Sequence, residues 1–282
     1  MERQLSYERL GQFTFNHTEL GEILTEEVFN YKRASKWMDD HVGLAVQAVI
    51  VYLVLIFSIK FWMRNRQPFN VKTPLSIWNF IIANLSGACA LAMSYEYFYT
   101  LYMFGVNSTI CEARDEYFTG RIGYAVFVLM LVRLPEFIDS FFIVLRKQPL
   151  LFIHWYHHAV TLLVGWMTYS AGWPASVHLI FVNSVVHMVM YSYFFIASQG
   201  IRPWPIVAKT ITFFQIMQFF MSLYGLIYVA ITHFFYDMRD CQVEPEQFTI
   251  HWMMVVSYTY LFIDFFITRY TDWGNKKSKE ID

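Results

Sequence analysis

Residues 42–62 read VGLAVQAVIVYLVLIFSIKFW, an almost unbroken run of apolar side chains. A helix of about 20 apolar residues is long enough to cross roughly 30 Å of hydrocarbon. Because a chain inside lipid must satisfy its own backbone hydrogen bonds, this run predicts a transmembrane helix. It follows about forty polar and acidic residues, which lack the basic start, short apolar run and cleavage site of a signal peptide.

Six further apolar stretches follow, separated by short polar breaks, at 75–99, 120–145, 150–169, 174–197, 206–235 and 250–267. The composition agrees with a lipid environment, since 56% of the residues are hydrophobic and only 15% are charged, against about 25% in ordinary soluble domains. We therefore predict an all-α polytopic membrane protein with seven transmembrane helices in a domain at 42–270. An N-terminal segment at 1–41 precedes this domain, and a basic tail at 271–282 follows it.

The distribution of lysine and arginine predicts the orientation, because cytosolic loops retain an excess of these residues. With a lumenal N-terminus, the cytosolic segments carry 12 basic and 3 acidic residues, a net charge of +9. The opposite face carries −7, and the residues within the spans carry −3. We therefore expect a lumenal N-terminus, a cytosolic C-terminus and an endoplasmic reticulum membrane. The total charge of −1 gives no case for a nucleic-acid partner.

Two further features fall on the predicted lumenal side. The sequons at Asn16 and Asn107 would be accessible to glycosylation there. Cys111 and Cys241 lie in lumenal loops, where a disulfide bond is allowed but is not required by the sequence. Cys89, inside a predicted helix, is expected to be a small buried side chain.

Polar side chains inside the predicted spans are the main functional signal, since an ionisable group at mid-bilayer costs about 3 kcal/mol on insertion scales. Four sets lie at a similar depth, about 9–18 Å from the cytosolic ends of their helices. A purely structural role is the alternative for two of them: an ion-pair cluster for the set that contains Arg133, and an interhelical hydrogen-bond clamp for the two glutamines. The sets are Arg133, Glu136 and Asp139; His154, His157 and His158; Asn183, His187 and Tyr191; and Gln215 and Gln218.

Basic residues are expected at the cytosolic mouth of this buried site. A basic mouth above an apolar interior suits a ligand with an anionic head and an apolar tail, such as a CoA thioester. The candidates for CoA binding are Arg146, Lys147, Arg202 and Lys209.

The four sets resemble the motifs of the fatty acid elongase (ELO) family, over nearly the whole chain. RLPEFIDS at 133–140 is similar to its Lys-x-x-Glu-x-x-Asp-Thr, and HWYHH at 154–158 to its His-x-x-His-His. NSVVHMVMYSYF at 183–194 and QIMQ at 215–218 match the other two motifs. The departures are Arg133 for Lys, Ser140 for Thr and Phe194 for Tyr. The wider strings look most like the branch that acts on saturated and monounsaturated long chains.

The resemblance implies condensation of a long-chain acyl-CoA with malonyl-CoA to a 3-oxoacyl-CoA, with no cofactor and no metal. It implies six helices around an acyl tunnel and a Cys111–Cys241 disulfide. By analogy His157 attacks the thioester and His187 assists, while Asn183, His154 and His158 orient rings or stabilise oxyanions. Membrane lipid and the reductase, dehydratase and enoyl reductase of the elongation cycle are expected as partners. The oligomeric state is left open, a homodimer included.

Two other classes of protein share parts of this pattern. A membrane di-iron desaturase or hydroxylase also uses His-x-x-His-His, but only four of the nine histidines here lie at the predicted site. A seven-helix receptor or transporter could use the histidines as a ligand or proton site, although it leaves the basic mouth unexplained. Iron content and malonyl-CoA-dependent chain extension discriminate among the three.

Overall fold

The computed structural model describes residues 15–112, 118–173, 175–201, 203–234 and 245–271. Within these ranges the chain forms ten α-helices and one 3₁₀ turn, with no β-strand. They are α1 (His17–Thr25), α2 (Tyr31–Asp40), α3 (Val42–Trp62), α4 (Lys72–Ile110), α5 (Gly120–Val132), the turn Pro135–Phe137, α6 (Ile138–Leu145), α7 (Phe152–Ala171), α8 (Ala175–Ser198), α9 (Pro205–Phe234) and α10 (Pro245–Tyr270).

The predicted all-helical class is confirmed, and five of the described helices are long and apolar enough to cross a membrane. These are α3, α4, α8, α9 and α10. The predicted span at 120–145 is instead a pair of shorter helices, α5 and α6. The predicted span at 150–169 corresponds to α7, whose 20 residues include three histidines. Neither stretch is among the five helices named above. The count of seven spans and the orientation of the termini therefore stay predictions.

The break between α5 and α6 follows from Pro135, which has no amide hydrogen to donate to a helix. Just before it, the amides of Arg133 and Leu134 bond back three residues, to carbonyls 3.3 and 3.1 Å away, instead of four. One 3₁₀ turn then leads into α6. Arg133 and Glu136 lie at this break and are 5% and 3% exposed.

Six helices close a ring around the interior. In order around the ring, α4 packs on α8, α8 on α9, α9 on α10, α10 on α7, α7 on α5, and α5 on α4. Helix α3 lies outside the ring, against α6 and α7. The two cavities described below are lined mainly by helices of this ring.

Helix α2 covers the C-terminal end of α7. The last carbonyls of a helix have no partner within the helix and need donors from elsewhere. The Tyr31 hydroxyl donates to the Tyr169 carbonyl at 3.0 Å, and the Ser35 hydroxyl to the Ser170 carbonyl at 2.8 Å. Trp166, 1% exposed, donates its indole N–H to a backbone carbonyl of α2 at 2.7 Å. The described part of segment 1–41 is thus packed against the helical domain.

The cysteines and sequons have distinct environments. Cys89 is a buried free thiol in α4, and Cys111 is disulfide-bonded. Cys241, the implied partner, lies outside the described residues, so the pairing stays a prediction. Asn16 is exposed at the N-terminus of α1, whereas Asn107 is half-buried inside α4. Glycosylation of both also stays a prediction.

Candidate active site

A main cavity of about 880 Å³ lies inside the ring of helices. The cavity is lined by the N-terminal parts of α4, α7 and α9 and by the C-terminal parts of α8 and α10. Its wide part therefore lies at one end of the bundle. Nine of the polar residues predicted from the sequence line it: Asp139, His154, His157, His158, Asn183, His187, Tyr191, Gln215 and Gln218.

A narrow cavity of about 100 Å³ continues from the main cavity toward the other end of the bundle. His157, Asn183 and Gln218 line both cavities. His157 therefore lies where the two cavities meet. Its side chain is half-buried, whereas that of the adjacent His158 is buried. Of the three histidines on α7, His157 is the one that lines both spaces.

A buried ion pair connects α5 to the motif on α8. The Arg133 guanidinium donates to Glu136 at 2.8 Å and to the Asn183 side-chain oxygen at 2.5 Å. The second oxygen of Glu136 lies 3.4 Å from Nδ1 of His187. The ion pair is thus both a structural link between helices and the support for two residues of the predicted site. Glu136 lines neither cavity.

Asp139 is held by donors from two other helices. The Trp78 indole N–H of α4 donates to one carboxyl oxygen at 2.6 Å, and the Tyr191 hydroxyl of α8 donates to the other at 2.5 Å. Two hydrogen bonds thus reach one carboxyl group from different helices. They fix α4, α6 and α8 relative to one another beside the main cavity.

Ser140 connects the histidine motif to the helix outside the ring. Its hydroxyl lies 2.6 Å from the Tyr52 hydroxyl of α3 and 2.9 Å from Nε2 of His154. Tyr52 is 2% exposed and stacks on Phe137 with ring centroids 4.0 Å apart. This chain of hydroxyls fixes the ring of His154, which in turn packs on His158 with centroids 4.5 Å apart.

Tyr258 of α10 contacts His157 in two ways. Its hydroxyl donates to the His157 backbone carbonyl at 3.1 Å, so the Thr161 hydroxyl, 2.9 Å away, must donate to Tyr258. Its ring also packs on the His157 ring, with centroids 5.0 Å apart. Sequence analysis missed Tyr258 because a single tyrosine in an apolar helix has no distinguishing spacing.

The two glutamines of α9 have different environments. Gln215 donates to the sulfur of Met190 on α8 at 3.2 Å, which resembles the expected interhelical clamp. The side-chain oxygen of Gln218 is buried and has no hydrogen-bond partner in the described part of the chain. Because Gln218 lines both cavities, its amide is placed to contact a ligand.

The basic residues predicted at the mouth are placed differently from one another. Arg146 is exposed and lines the main cavity. Lys147 lines neither cavity; its ammonium donates to the backbone carbonyls of Arg64 and Arg66, at 3.0 and 3.1 Å. Lys209 lies over the Phe266 ring, 5.7 Å from its centroid, and also lines neither cavity.

Two basic residues that the sequence analysis did not select do line the main cavity. Lys72 is the first residue of α4, and Arg269 lies one residue before the end of α10. They join Arg146 at the same end of the bundle. Arg202, the remaining candidate, lies outside the described residues. Across the part of the chain that the structure describes, no group of three or more His, Cys, Asp or Glu side chains is arranged to hold a metal ion.

Comparison with known proteins identifies the family of this chain. A match to the GNS1/SUR4 (ELO) family spans residues 37–279. Long chain fatty acid elongase 1 of Caenorhabditis elegans is 38% identical over 95% of this chain and 93% of its own length. Very long chain fatty acid elongase 6 of Mus musculus is 30% identical over 92% and 97%, respectively. The resemblance stated from the four motifs is confirmed, and the chain belongs to the GNS1/SUR4 (ELO) family.

Proposed function

We propose that this protein is the condensing acyltransferase of fatty acid elongation, a 3-oxoacyl-CoA synthase. It joins a long-chain acyl-CoA to two carbons of malonyl-CoA and releases CO₂ and CoA. The position of His157 carries this proposal: a nucleophilic imidazole lies between a wide cavity with basic residues at one end and a narrow cavity with mostly apolar walls. That arrangement suits a thioester with an anionic head and an apolar tail.

The two substrate parts have separate places in this arrangement. Lys72, Arg146 and Arg269 line one end of the main cavity, where they can pair with the phosphates of CoA. The acyl chain extends past His157 into the narrow cavity. The thioester carbonyl then lies beside His157, at the junction of the two cavities.

The first chemical step is acyl transfer to His157. A neutral imidazole nitrogen attacks the thioester carbonyl, the carbon–sulfur bond breaks, and CoA leaves as a thiolate that takes up the proton lost by the imidazole. The oxygen of the Asn183 side chain is held by Arg133. Its amide NH₂ is therefore the group that can donate to the oxyanion formed in this step.

The second step forms the carbon–carbon bond. Malonyl-CoA loses CO₂, and the electron pair of the broken bond forms an enolate. The enolate carbon attacks the acyl-imidazole and the carbon–nitrogen bond breaks. The departing imidazole nitrogen takes up one proton from water, which restores neutral His157 and releases the 3-oxoacyl-CoA. His187 and Gln218, both lining the main cavity, are placed to stabilise the enolate oxygen or to orient malonyl-CoA. The cycle needs the two thioesters and no further cofactor.

The location follows from the predicted orientation. With the C-terminus in the cytosol, the basic end of the main cavity faces the cytosol, where both CoA thioesters are found. We expect an endoplasmic reticulum membrane and contact with the reductase, dehydratase and enoyl reductase that consume the product. These assignments rest on the charge distribution and the family.

The test is two-carbon extension by the purified protein in liposomes. With a 14-carbon acyl-CoA and radiolabelled malonyl-CoA, we expect labelled 3-oxoacyl-CoA from the wild type and none from His157→Ala. His17→Ala, which removes an exposed histidine that lines neither cavity, is the control and should keep its activity. With acyl-CoA alone, mass spectrometry should find an acyl group on the peptide that contains residue 157. Turnover without any such adduct would contradict the covalent step, and iron in stoichiometric amount would favour the desaturase.

A further inference from the structure

Helix α4 contributes a stripe of three side chains to the wall of the main cavity. Lys72, Leu75 and Asn79 line the cavity, and their spacing of three and four residues places them on one face of the helix. Ile82, almost one turn further on, lies in a buried cluster with Tyr191 of α8 and does not line the cavity. Asn79 is therefore the deepest residue that α4 contributes.

The Asn79 side chain is buried without a hydrogen-bond partner in the described part of the chain. It is 2% exposed, and no hydrogen bond joins its amide to another described residue. Its surroundings are otherwise paired: the adjacent Trp78 donates to Asp139, and Asn183, which lines the same cavity, accepts from Arg133. Buried polar groups nearly always have a partner. An amide left free beside a cavity is therefore placed to pair with a ligand.

The charges around the cavity indicate which ligand group fits beside Asn79. Within the described ranges, the lysines and arginines that line the main cavity are Lys72, Arg146 and Arg269. Asn79 lies seven residues beyond Lys72, about 10 Å along α4. The same separation lies between Arg146 and Asp139, which accepts a hydrogen bond from the neighbour of Asn79. A charged ligand group at Asn79 would be buried far from these cations, whereas a neutral amide could both donate to it and accept from it.

The phosphopantetheine arm of CoA carries two such amides. Thirteen bonds separate its phosphorus from its sulfur, so the extended arm is about 16 Å long at roughly 1.25 Å per bond. The amide nearer the sulfur lies about 11–13 Å from the phosphorus. With the phosphates beside Lys72, this amide reaches the depth of Asn79. We propose that Asn79 binds the pantetheine amide nearer the sulfur, in acyl-CoA and in malonyl-CoA; this inference rests on the proposed function.

This contact fixes the depth at which a thioester lies in the cavity. The nitrogen of the bound amide is three bonds from the sulfur, about 4 Å. A hydrogen bond at Asn79 therefore limits how far the thioester can move along the cavity that His157 also lines. Because both thioesters carry the same arm, one side chain serves the acyl donor first and malonyl-CoA second.

The first experiment measures steady-state two-carbon extension by Asn79→Leu, which keeps the size of the side chain and removes its hydrogen bonds. We expect KM for acyl-CoA and KM for malonyl-CoA to rise alike, by about tenfold, at unchanged kcat. Asn84→Leu is the matched control on the same helix. Asn84 is exposed, donates to the Phe80 carbonyl of its own helix and lines neither cavity, so both KM values should stay unchanged.

Two truncated acyl donors test whether the contact is to the amide. The N-acetylcysteamine thioester keeps the amide nearer the sulfur and lacks the rest of CoA, and the pentyl thioester has the same length without an amide. The ratio of kcat/KM for the first donor to that for the second should be about tenfold smaller in Asn79→Leu than in the wild type. In Asn84→Leu the ratio should equal that of the wild type. A general loss of activity cancels in this ratio.

Asn79→Ala keeps the inference testable if Asn79→Leu does not fold, and the same changes in KM are expected. Unchanged KM values in an active variant would overturn the inference, as would equal donor ratios in the variant and the wild type. An increase in KM for malonyl-CoA alone would also overturn it, because Asn79 would then contact the malonyl carboxylate. Absence of any extension by the wild type would instead contradict the proposed function.

Discussion

Replacing Arg133 with methionine should lower the free energy of unfolding by about 3–5 kcal/mol, because a buried carboxylate loses its charged partner. Arg133 and Glu136 are 5% and 3% exposed, so water cannot replace the lost hydrogen bond. The guanidinium makes two charge-assisted bonds, to Glu136 at 2.8 Å and Asn183 at 2.5 Å. Each such bond is worth roughly 1.5–3 kcal/mol. His187, 3.4 Å from Glu136, is the group that could partly compensate.

The size of the effect can be measured by thermal unfolding in detergent. A loss of about 3 kcal/mol corresponds to a decrease in Tm of roughly 6–12 °C for a chain of this size. All variants are compared at one scan rate, since membrane proteins often unfold irreversibly. Arg64→Met is the control, because the Arg64 side chain is exposed and its guanidinium lies over the Phe61 ring. It should change the stability by about 0.5 kcal/mol or less.

A double-mutant cycle separates the ion pair from general packing. Glu136→Met should also be destabilising, because it leaves the guanidinium without its carboxylate. The double variant Arg133→Met/Glu136→Met should be more stable than either single variant, since an apolar pair leaves no unpaired charge. The reasoning is refuted if Arg133→Met unfolds within about 1 kcal/mol of the wild type. It is also refuted if the two single effects simply add.

Three further predictions concern other parts of the molecule. Arg146→Ala should raise KM for acyl-CoA about tenfold at unchanged kcat, whereas Lys147→Ala should leave KM unchanged; equal effects in steady-state assays would contradict the placement of CoA phosphates. Trp166→Phe should cost about 1–2 kcal/mol, because a buried carbonyl of α2 loses its donor; an unchanged Tm would argue against this contact. Gly172→Ala should cost about 1–2 kcal/mol in the same unfolding assay, since residue 172 has a φ of 71° and only glycine adopts it without strain; a stabilised variant would contradict this reasoning.

The sequence identified most residues of the candidate site because their signal is local. A histidine or carboxylate within an apolar stretch is visible without knowledge of any neighbour, and spacing along a helix places such residues on one face. His157, Asn183 and Gln218 were found in this way, and the structure places all three at the junction of the two cavities.

Local sequence patterns did not predict which basic residues line the mouth of the main cavity. Arg146 and Lys147 are adjacent and equally basic, yet only Arg146 lines the main cavity. Lys147 has a φ of 56°, which turns the chain after α6, and its ammonium donates to carbonyls more than 80 residues away. Lys72 and Arg269 reach the cavity from helix ends that are far apart in the sequence.

The sequence by itself determined the helical class, the membrane environment and the polar residues of the site, because hydropathy and helical periodicity are properties of neighbouring residues. The tertiary structure decided which side chains meet: Arg133 with Asn183, Tyr258 with His157, and Thr168 with His251. These contacts join residues 50, 101 and 83 positions apart. They depend on how each helix is rotated about its axis against its neighbours, which no local pattern specifies.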